Sequence, residues 1–505
     1  MSGLEVSKAA RLAVAVVVLA LVLTIVVSGS SARPGAGHAE SIRPNVVLVT
    51  VDDARLDDMR YMPTVQRLLQ RQGTTFSDAF LSYPLCAPSR ASILTGQYAH
   101  NHGVRHVDYP AGSYRRMAEN GANQSTLPLW LQQSGYHTSM VGKYLNGYTQ
   151  YSANHFGVEN AQPDPGWSSW KATLNTYNYR NLTIRHHPGT FAEYEGNYST
   201  NVLNEIGVKV VRRQESEPKP FFLWLSHIAP HVGLPHEPDD PKRLPTPNVD
   251  HRDRDTFSDL GNVRSPAFNQ SDMSGTPAAV RKLPKFGNKM SRQIREFRQQ
   301  RVESLQAVDR GIRRLVRTLR ETGQLRETVI IFTSDNGYSL GEHRLPKGKI
   351  LPYQEIENTP LYMRGPGIPS NRVVNDPVSM STDLAPTILD LTDTSAPYQP
   401  DGVSLNDLMR HPGPSDRHVV VEAWRPGGAP LYTGLRTERY LYVKYATGEV
   451  ELYDLHRDPH QLDSLARDPK YRDIRKELAR KLAIMHDCRG RGCHELPDPG
   501  RAAAR

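Results

Sequence analysis

Cysteine is nearly absent. Three cysteines in 505 residues are too few to staple a chain of this size, and in an exported protein they leave one over. Cys488 and Cys493 enclose Arg-Gly-Arg-Gly, a loop flexible enough for them to pair, so the leftover is Cys86. Blocks of one charge are missing too. Lys and Arg outnumber Asp and Glu by 62 to 53, a formal charge of +9. These cations are scattered, and no run has the form of a nucleic-acid-binding arm, which argues against nucleic acid as a partner. A basic balance still suits a polyanion. The long apolar run near the N-terminus is Leu12 to Val27, sixteen residues behind Lys8 and Arg11. A membrane-crossing helix needs about 20, and this length lies near the upper limit of a signal-peptide core. Ser30-Ser31-Ala32 then offers small residues for a cleavage site. Two readings stand: a cleaved signal peptide, or an uncleaved anchor through 12–27. Both place the body of the protein outside the cytoplasm. Internal repeats and low-complexity segments are lacking in the remainder.

What is present is a series of buried-strand runs that end in chemistry. Asn45 to Val51 is a continuous apolar run of the kind that forms a strand covered on both faces, and it ends in Asp52-Asp53. Val329 to Thr333 repeats the pattern and leads to Ser334, Asp335 and Asn336. Phe221 to Leu225 leads to His227 and His231, and Thr138 to Val141 leads to Gly142-Lys143. Pro63 to Gln72, Leu127 to Ser134 and Asp383 to Leu391 read as helices. So does a segment in which Val302, Leu305, Val308, Ile312, Leu315, Val316 and Leu319 recur at helical spacing, with an arginine-rich face outward. Alternating strands and helices predict an α/β fold with its site at the carboxyl ends of the strands. Between Glu237 and about Gly287 no periodicity is sustained, and an irregular excursion near the mouth of the site is expected. Loop residues between 397 and 414 mark a boundary. The domains are therefore 1–43 (leader or anchor plus linker), 44–396 (catalytic), 415–490 (a small C-terminal unit) and 491–505 (tail). In the C-terminal unit two strand-like runs from Tyr432 to Val450 join at Thr447-Gly448, and a helix follows over Tyr471 to His486.

Cys86-Ala87-Pro88-Ser89-Arg90 opens a helix-like run and puts a sulfur at a helix N-terminus, where N–H groups and the dipole favour an anion. Arg90 adds a permanent charge that can bind an oxyanion through two N–H groups. Adjacent carboxylates at Asp52-Asp53 repel unless a cation lies between them. With Asp335 and Asn336 they form an all-oxygen donor set, which selects Ca²⁺ or Mg²⁺ over zinc. Asp57-Asp58, a few residues on, reads as a solvated acidic turn. Trp167 and Trp170 either stack on sugar rings or anchor their loop to the core.

The eleven residues from Cys86 to Gly96 resemble the sulfatase signature, Cys-x-Pro-Ser-Arg with a hydrophobic-Thr-Gly close, and match it at every position. The resemblance extends from Pro44 to about Pro469. It implies an alkaline-phosphatase-like fold: a large, mostly parallel central sheet between helices, with a small C-terminal antiparallel sheet plus helix. It also implies that Cys86 is oxidised by a formylglycine-generating enzyme to formylglycine, whose hydrate attacks sulfur and later expels sulfate by collapsing to the aldehyde. The implied metal is Ca²⁺ on Asp52, Asp53, Asp335 and Asn336, with residue 86 completing the set. Lys143 and Lys349 become sulfate-binding cations beside Arg90, and His231 becomes the acid for the leaving alcohol or a sulfate ligand. Two positions depart from the family: Leu145 stands where many sulfatases have histidine, and Gln354 where glutamate is expected after Tyr353. Gly142-Lys143-Tyr144-Leu145-Asn146 and the Trp167 segment are similar to the glucosamine-6-sulfatases and extracellular heparan endosulfatases, which implies a sulfated carbohydrate such as N-acetylglucosamine 6-sulfate. Two other readings are a phosphomonoester or phosphodiester hydrolase of the same superfamily, and a silent anionic-glycan-binding protein in which Cys86 stays a thiol.

Overall fold

A computed structural model describes residues 43–151, 163–186, 190–411, 413 and 416–494. The 12–27 run, the 30–32 cleavage site and the end of the 491–505 tail lie outside the described residues. Among the described residues no helix is long and apolar enough to cross a membrane.

The apolar runs become one eight-stranded sheet. Its strands are β1 (Asn45–Val51), β2 (Thr74–Phe76), β3 (His137–Gly142), β4 (Ser169–Ala172), β5 (Phe221–Ser226), β6 (Thr328–Ser334), β7 (Leu361–Arg364) and β8 (Arg372–Val374). They lie in the order β8-β2-β7-β6-β1-β5-β3-β4. All pairings are parallel except the two made by β7, which runs against β6 and β2. Every residue of β1, β5 and β6 is buried, which is why none shows polar alternation.

The main helices are α1 (Cys86–Thr95), α2 (Leu127–Gln133), α3 (Ser199–Arg213), α4 (Asn288–Glu321), α5 (Met380–Leu391) and α6 (Arg472–Met485). Alternate side chains of β1 serve opposite layers. Val46 and Leu48 join a core with residues of α1, α2 and α5, while Val47, Val49 and Val51 join one with α3 and α4. In α4 the seven apolar positions expected to face inward are all buried, and Arg313, Arg314, Arg317 and Arg320 are exposed.

The C-terminal segment folds as a four-stranded antiparallel meander of β9 (Val419–Trp424), β10 (Pro430–Arg436), β11 (Tyr440–Tyr445) and β12 (Val450–Asp454). The expected turn at Thr447-Gly448 joins β11 to β12, and a second bend at 437–439 divides what the sequence presented as one run. Leu478, Leu482 and Met485 of α6 pack on Val420, Leu435, Tyr442 and Leu452. Cys488 and Cys493 form a disulfide and Cys86 is free. The 237–287 segment is irregular apart from the short helix Ala278–Arg281. It braces the loop after β6: Asn269 N–H donates to Gly341 O at 2.8 Å, and the Gln270 amide bonds His343 Nδ1 at 3.0 Å.

One open alternative is decided and one expectation is corrected. Trp167 and Trp170 are 7% and 0% exposed and pack edge and face against Tyr144, Phe222 and Trp224, so they anchor their segment and present no platform to a sugar. Asp57 is exposed, but Asp58 is buried, because its carboxylate accepts the Arg55 N–H at 3.0 Å and faces Arg301 at 3.8 Å.

Candidate active site

In-register parallel pairing of β1 with β6 brings Asp52-Asp53 and Asp335-Asn336 to the same sheet edge. All four are buried. Asp53 holds a left-handed backbone, φ +74°, a conformation that costs a residue with a side chain roughly 1–3 kcal/mol. Its N–H donates to Asp335 Oδ1 at 3.2 Å, and Arg301 donates to its carbonyl.

α1 brings the next groups. It is buried on every side and ends at Gly96, whose left-handed φ of +67° closes the helix with an N–H bond to Ser92 O. Cys86 at its first position is 2% exposed. Its Sγ lies 3.5 Å from Asp52 Oδ1 and 2.9 Å from Lys349 Nζ. Arg90, four residues on, falls on the same helix face. Its Nε donates to Asp335 Oδ2 at 2.8 Å, and its Nη1 to Lys143 O and Ser226 Oγ, both at 2.8 Å. Arg90 Nη2 is buried without a protein partner, a donor available to an anion.

β3 ends at Gly142, φ +105°, where a Cβ would sit 1.9 Å from Ser226 O. Only glycine lets the chain turn here and present Lys143, whose Nζ pairs with Asp52 and lies 3.8 Å from Asp335 Oδ2. Lys349 Nζ donates to Asp53 Oδ1 at 2.5 Å and reaches Asn336 Oδ1 at 3.5 Å, while Asn336 Nδ2 donates to Asp53 Oδ1 at 2.6 Å. His231, beyond β5, bonds Val232 O through Nδ1 at 2.7 Å, which turns Nε2 toward Asp53 Oδ2 at 3.8 Å.

Burial raises the Asp52 and Asp53 carboxyls, but the nearby cations outweigh it and hold both below the usual carboxylate range: Lys143 chiefly for Asp52, Lys349 chiefly for Asp53. Asp335 is raised, by burial and by the charge of Asp52, despite Arg90. Burial pushes the Cys86 thiol up to about 12 against the pull of Lys143 and Lys349, so it is not a thiolate at neutral pH. His231 is lowered, chiefly by burial.

Ligand atoms of Asp52, Asp53, Cys86 and His231 lie within 4.8 Å of one another. Carboxylates buried this close need cationic charge between them. The oxygens of Asp52, Asp53, Asp335 and Asn336 are the hard donors that Ca²⁺ or Mg²⁺ takes, so the residues present fit such an ion.

Every residue singled out from the sequence for the site therefore meets at one place. His227, left without a role, is 0% exposed; its ring nitrogens lack protein partners, and burial lowers its pKa to about 3. Two neighbours were missed. The Tyr177 ring stacks on His231 at 4.3 Å and 23°, its hydroxyl accepts from Asn146 Nδ2 at 3.1 Å, and Lys143 Nζ lies 5.3 Å from its centroid. It sits in an irregular stretch with no periodic signal. Arg301 did carry one, since it stands four residues before Leu305 on the inner face of α4. A cavity of ≈ 480 Å³ runs outward from Lys143 and Tyr177 past Asn146 and Gln150, within the range of small-molecule sites.

The Sulfatase family model matches residues 44–394, and a model described as N-sulphoglucosamine sulphohydrolase, C-terminal, matches residues 341–487. An arylsulfatase of Volvox carteri is 30% identical over 526 residues, covering 94% of this chain and 79% of that protein. Human N-acetylglucosamine-6-sulfatase is 30% identical over 506 residues, covering 91% and 87%. An extracellular sulfatase Sulf-1 homolog of Caenorhabditis elegans is 31% identical over 398 residues, covering 77% of this chain and 52% of that protein. A solved structure in complex with its substrate D-glucosamine-2-N,6-O-disulfate shares the fold, with a TM-score of 0.66, 22% identity and coverage of 87% and 97%. The chain belongs to the sulfatase family and is a sulfuric ester hydrolase.

Proposed function

We propose that the protein hydrolyses a sulfate ester on a sugar of the glucosamine 6-sulfate class, outside the cytoplasm, after a formylglycine-generating enzyme has oxidised Cys86. The observation that carries this is the placement of Cys86: a buried thiol, pushed up to about 12, at the head of α1 with Lys349 Nζ at 2.9 Å and Asp52 beside it. As a thiol it is a poor nucleophile. Formylglycine there would supply a hydrated aldehyde, one hydroxyl to attack sulfur and a second through which sulfate departs. The sugar class rests on the Gly142-to-Asn146 segment and on the named substrates of the glucosamine-directed relatives. Extracellular sulfatases among the relatives support export.

Asp52, Asp53, Asp335 and Asn336 would hold a Ca²⁺ ion, which would supply positive charge to the sulfate oxygens. The chain's own cations share that work. Arg90 with its unpartnered Nη2 and Lys143, both buried, and the partly buried Lys349 form a fixed cationic wall, which stabilises charge that grows during the reaction more than water does. His231, oriented by its Nδ1 bond and by the Tyr177 ring, directs Nε2 inward. Burial keeps the resting ring neutral with its proton on Nδ1, so it would serve the leaving alcohol as an acid only after Nε2 takes up a proton, a charge the neighbouring Asp53 carboxylate favours.

Peptide mass spectrometry across Cys86, with a panel of sulfated monosaccharides and oligosaccharides, tests the reading. Formylglycine at position 86 and release of 6-sulfate from glucosamine are expected. An unmodified cysteine in fully active protein overturns the chemistry, and turnover restricted to other sulfated positions overturns the sugar class.

A further inference from the structure

The cavity at Lys143 and Tyr177 has a neighbour across the segment that follows Lys143. A second cavity of ≈ 360 Å³ shares Asn146, Gly147 and Gln150 with it and extends to Tyr109 and Arg115. Among the described residues four large hydrophobic side chains are strongly exposed, and two of them line this pair of cavities: Leu234 at 50% in the first and Tyr109 at 46% in the second. The Arg115 guanidinium lies 3.8 Å over the Tyr109 ring. The guanidinium covers one face of the ring, which leaves the other face of the half-exposed Tyr109 for a sugar ring and the edge of the planar cation for an oxyanion on it.

This far end is tied to the catalytic segment. Tyr114 N–H donates to Asn146 O at 2.7 Å, and a Cβ on Gly147 would sit 3.0 Å from Ser113 Cβ, so the short helix Ser113–Glu119 that carries Arg115 rests directly on the chain following Lys143. Arg115 pairs with Glu119 at 2.8 Å, with both side chains substantially exposed, a contact of small net strength that a substrate anion can displace. Asp108 on the same cavity faces His106 at 3.5 Å.

We propose that Tyr109 and Arg115 form a distal subsite for a second, anionic sugar of the same chain, so that the preferred substrate is an acidic oligosaccharide. The inference rests on the sulfated-sugar reading above. Tyr109 stacks on the ring, and Arg115 holds its sulfate or carboxylate.

Steady-state kinetics of the full chain test this with three substrates: an aryl sulfate, glucosamine 6-sulfate, and a tetrasaccharide in which 6-sulfated glucosamine has anionic neighbours. The wild type is expected to favour the tetrasaccharide over the monosaccharide in kcat/KM by at least about tenfold. Tyr109→Ala and Arg115→Gln are each expected to lower that value about tenfold through KM, with the aryl sulfate and the monosaccharide unchanged. Reduction of the tetrasaccharide carboxylates, or removal of its neighbouring sulfates, identifies the anion, because the Arg115→Gln penalty disappears when the right one is lost. Equal losses on all three substrates, or none, overturn the subsite. Turnover of aryl sulfate with none of either sugar fails the sugar reading itself. Equal turnover of both sugars with neutral variants fails the subsite alone.

Discussion

A thiol at about 12 beside two lysines is held protonated by its own burial, so removing it should cost chemistry and little structure. Cys86→Ala is expected to abolish measurable turnover while moving Tm by less than about 3 °C in a thermal melt. Collapse of the melt would instead make Cys86 a packing residue. Arg301 makes the opposite case. It is fully buried, donates to the Asp53 carbonyl and faces Asp58, so its removal takes the donor from that carbonyl and a positive charge from beside the buried Asp53 and Asp58 carboxylates. Arg301→Leu is expected to cost about 3–5 kcal/mol, read as an earlier urea transition, with activity falling in proportion to the folded fraction. The sequence made Cys86 conspicuous through its motif. Arg301 was hidden among the many arginines of α4, although its spacing from Leu305 and Val308 marked the inner face. Tyr177 left no trace, because a ring that stacks on a histidine 54 residues later obeys no local period.

Among the elements, β1, β5 and β6 were legible because strands covered on both faces need unbroken apolar runs. α1 was legible only as a motif. A helix buried all round, carrying Cys86, Ser89, Arg90 and Ser92, has no amphipathic stripe to detect. The bend at 437–439 was missed because Thr-Glu-Arg carries neither glycine nor proline. Gly142 is where element and site meet. Gly142→Ala would drive a Cβ to 1.9 Å from Ser226 O, part β3 from β5 and displace Lys143. Loss of aryl sulfate turnover and a lowered Tm are expected together. Gly261→Ala, with nothing within 4 Å of the added atom, is the control and should behave as wild type.

Across the whole molecule, long-range links join segments that the sequence divided at 397–414. Tyr98 N–H donates to Asp401, Tyr83 OH to Trp424 O, and His100 Nδ1 bonds Glu422 Oε2 at 2.7 Å. Burial lowers the His100 pKa, but the Glu422 carboxylate and the bond to it outweigh that and raise it above its ordinary value. The sign follows from linkage. A histidine with a raised folded pKa contributes stability below about pH 6.5, its unfolded value, and the contribution is lost as pH climbs through the folded value. Glu422→Gln is therefore expected to lower Tm most at about pH 6, and progressively less as pH rises. A Tm difference independent of pH would remove the ion pair as the cause. No pattern within either segment announces such a pair, because its members are 322 residues apart.

The same distances set a clock. Arg90 closes on Asp335, and the ribosome makes that carboxylate 245 residues after the arginine. At about 5–20 residues per second this takes roughly 12–50 s. Throughout that interval β6 does not exist and the far wall of the site is missing, so the enclosure that leaves the thiol 2% exposed is not yet complete. On the proposed chemistry, maturation is a race between a modifying enzyme and the closing of the sheet. Anything that hastens folding shifts its outcome.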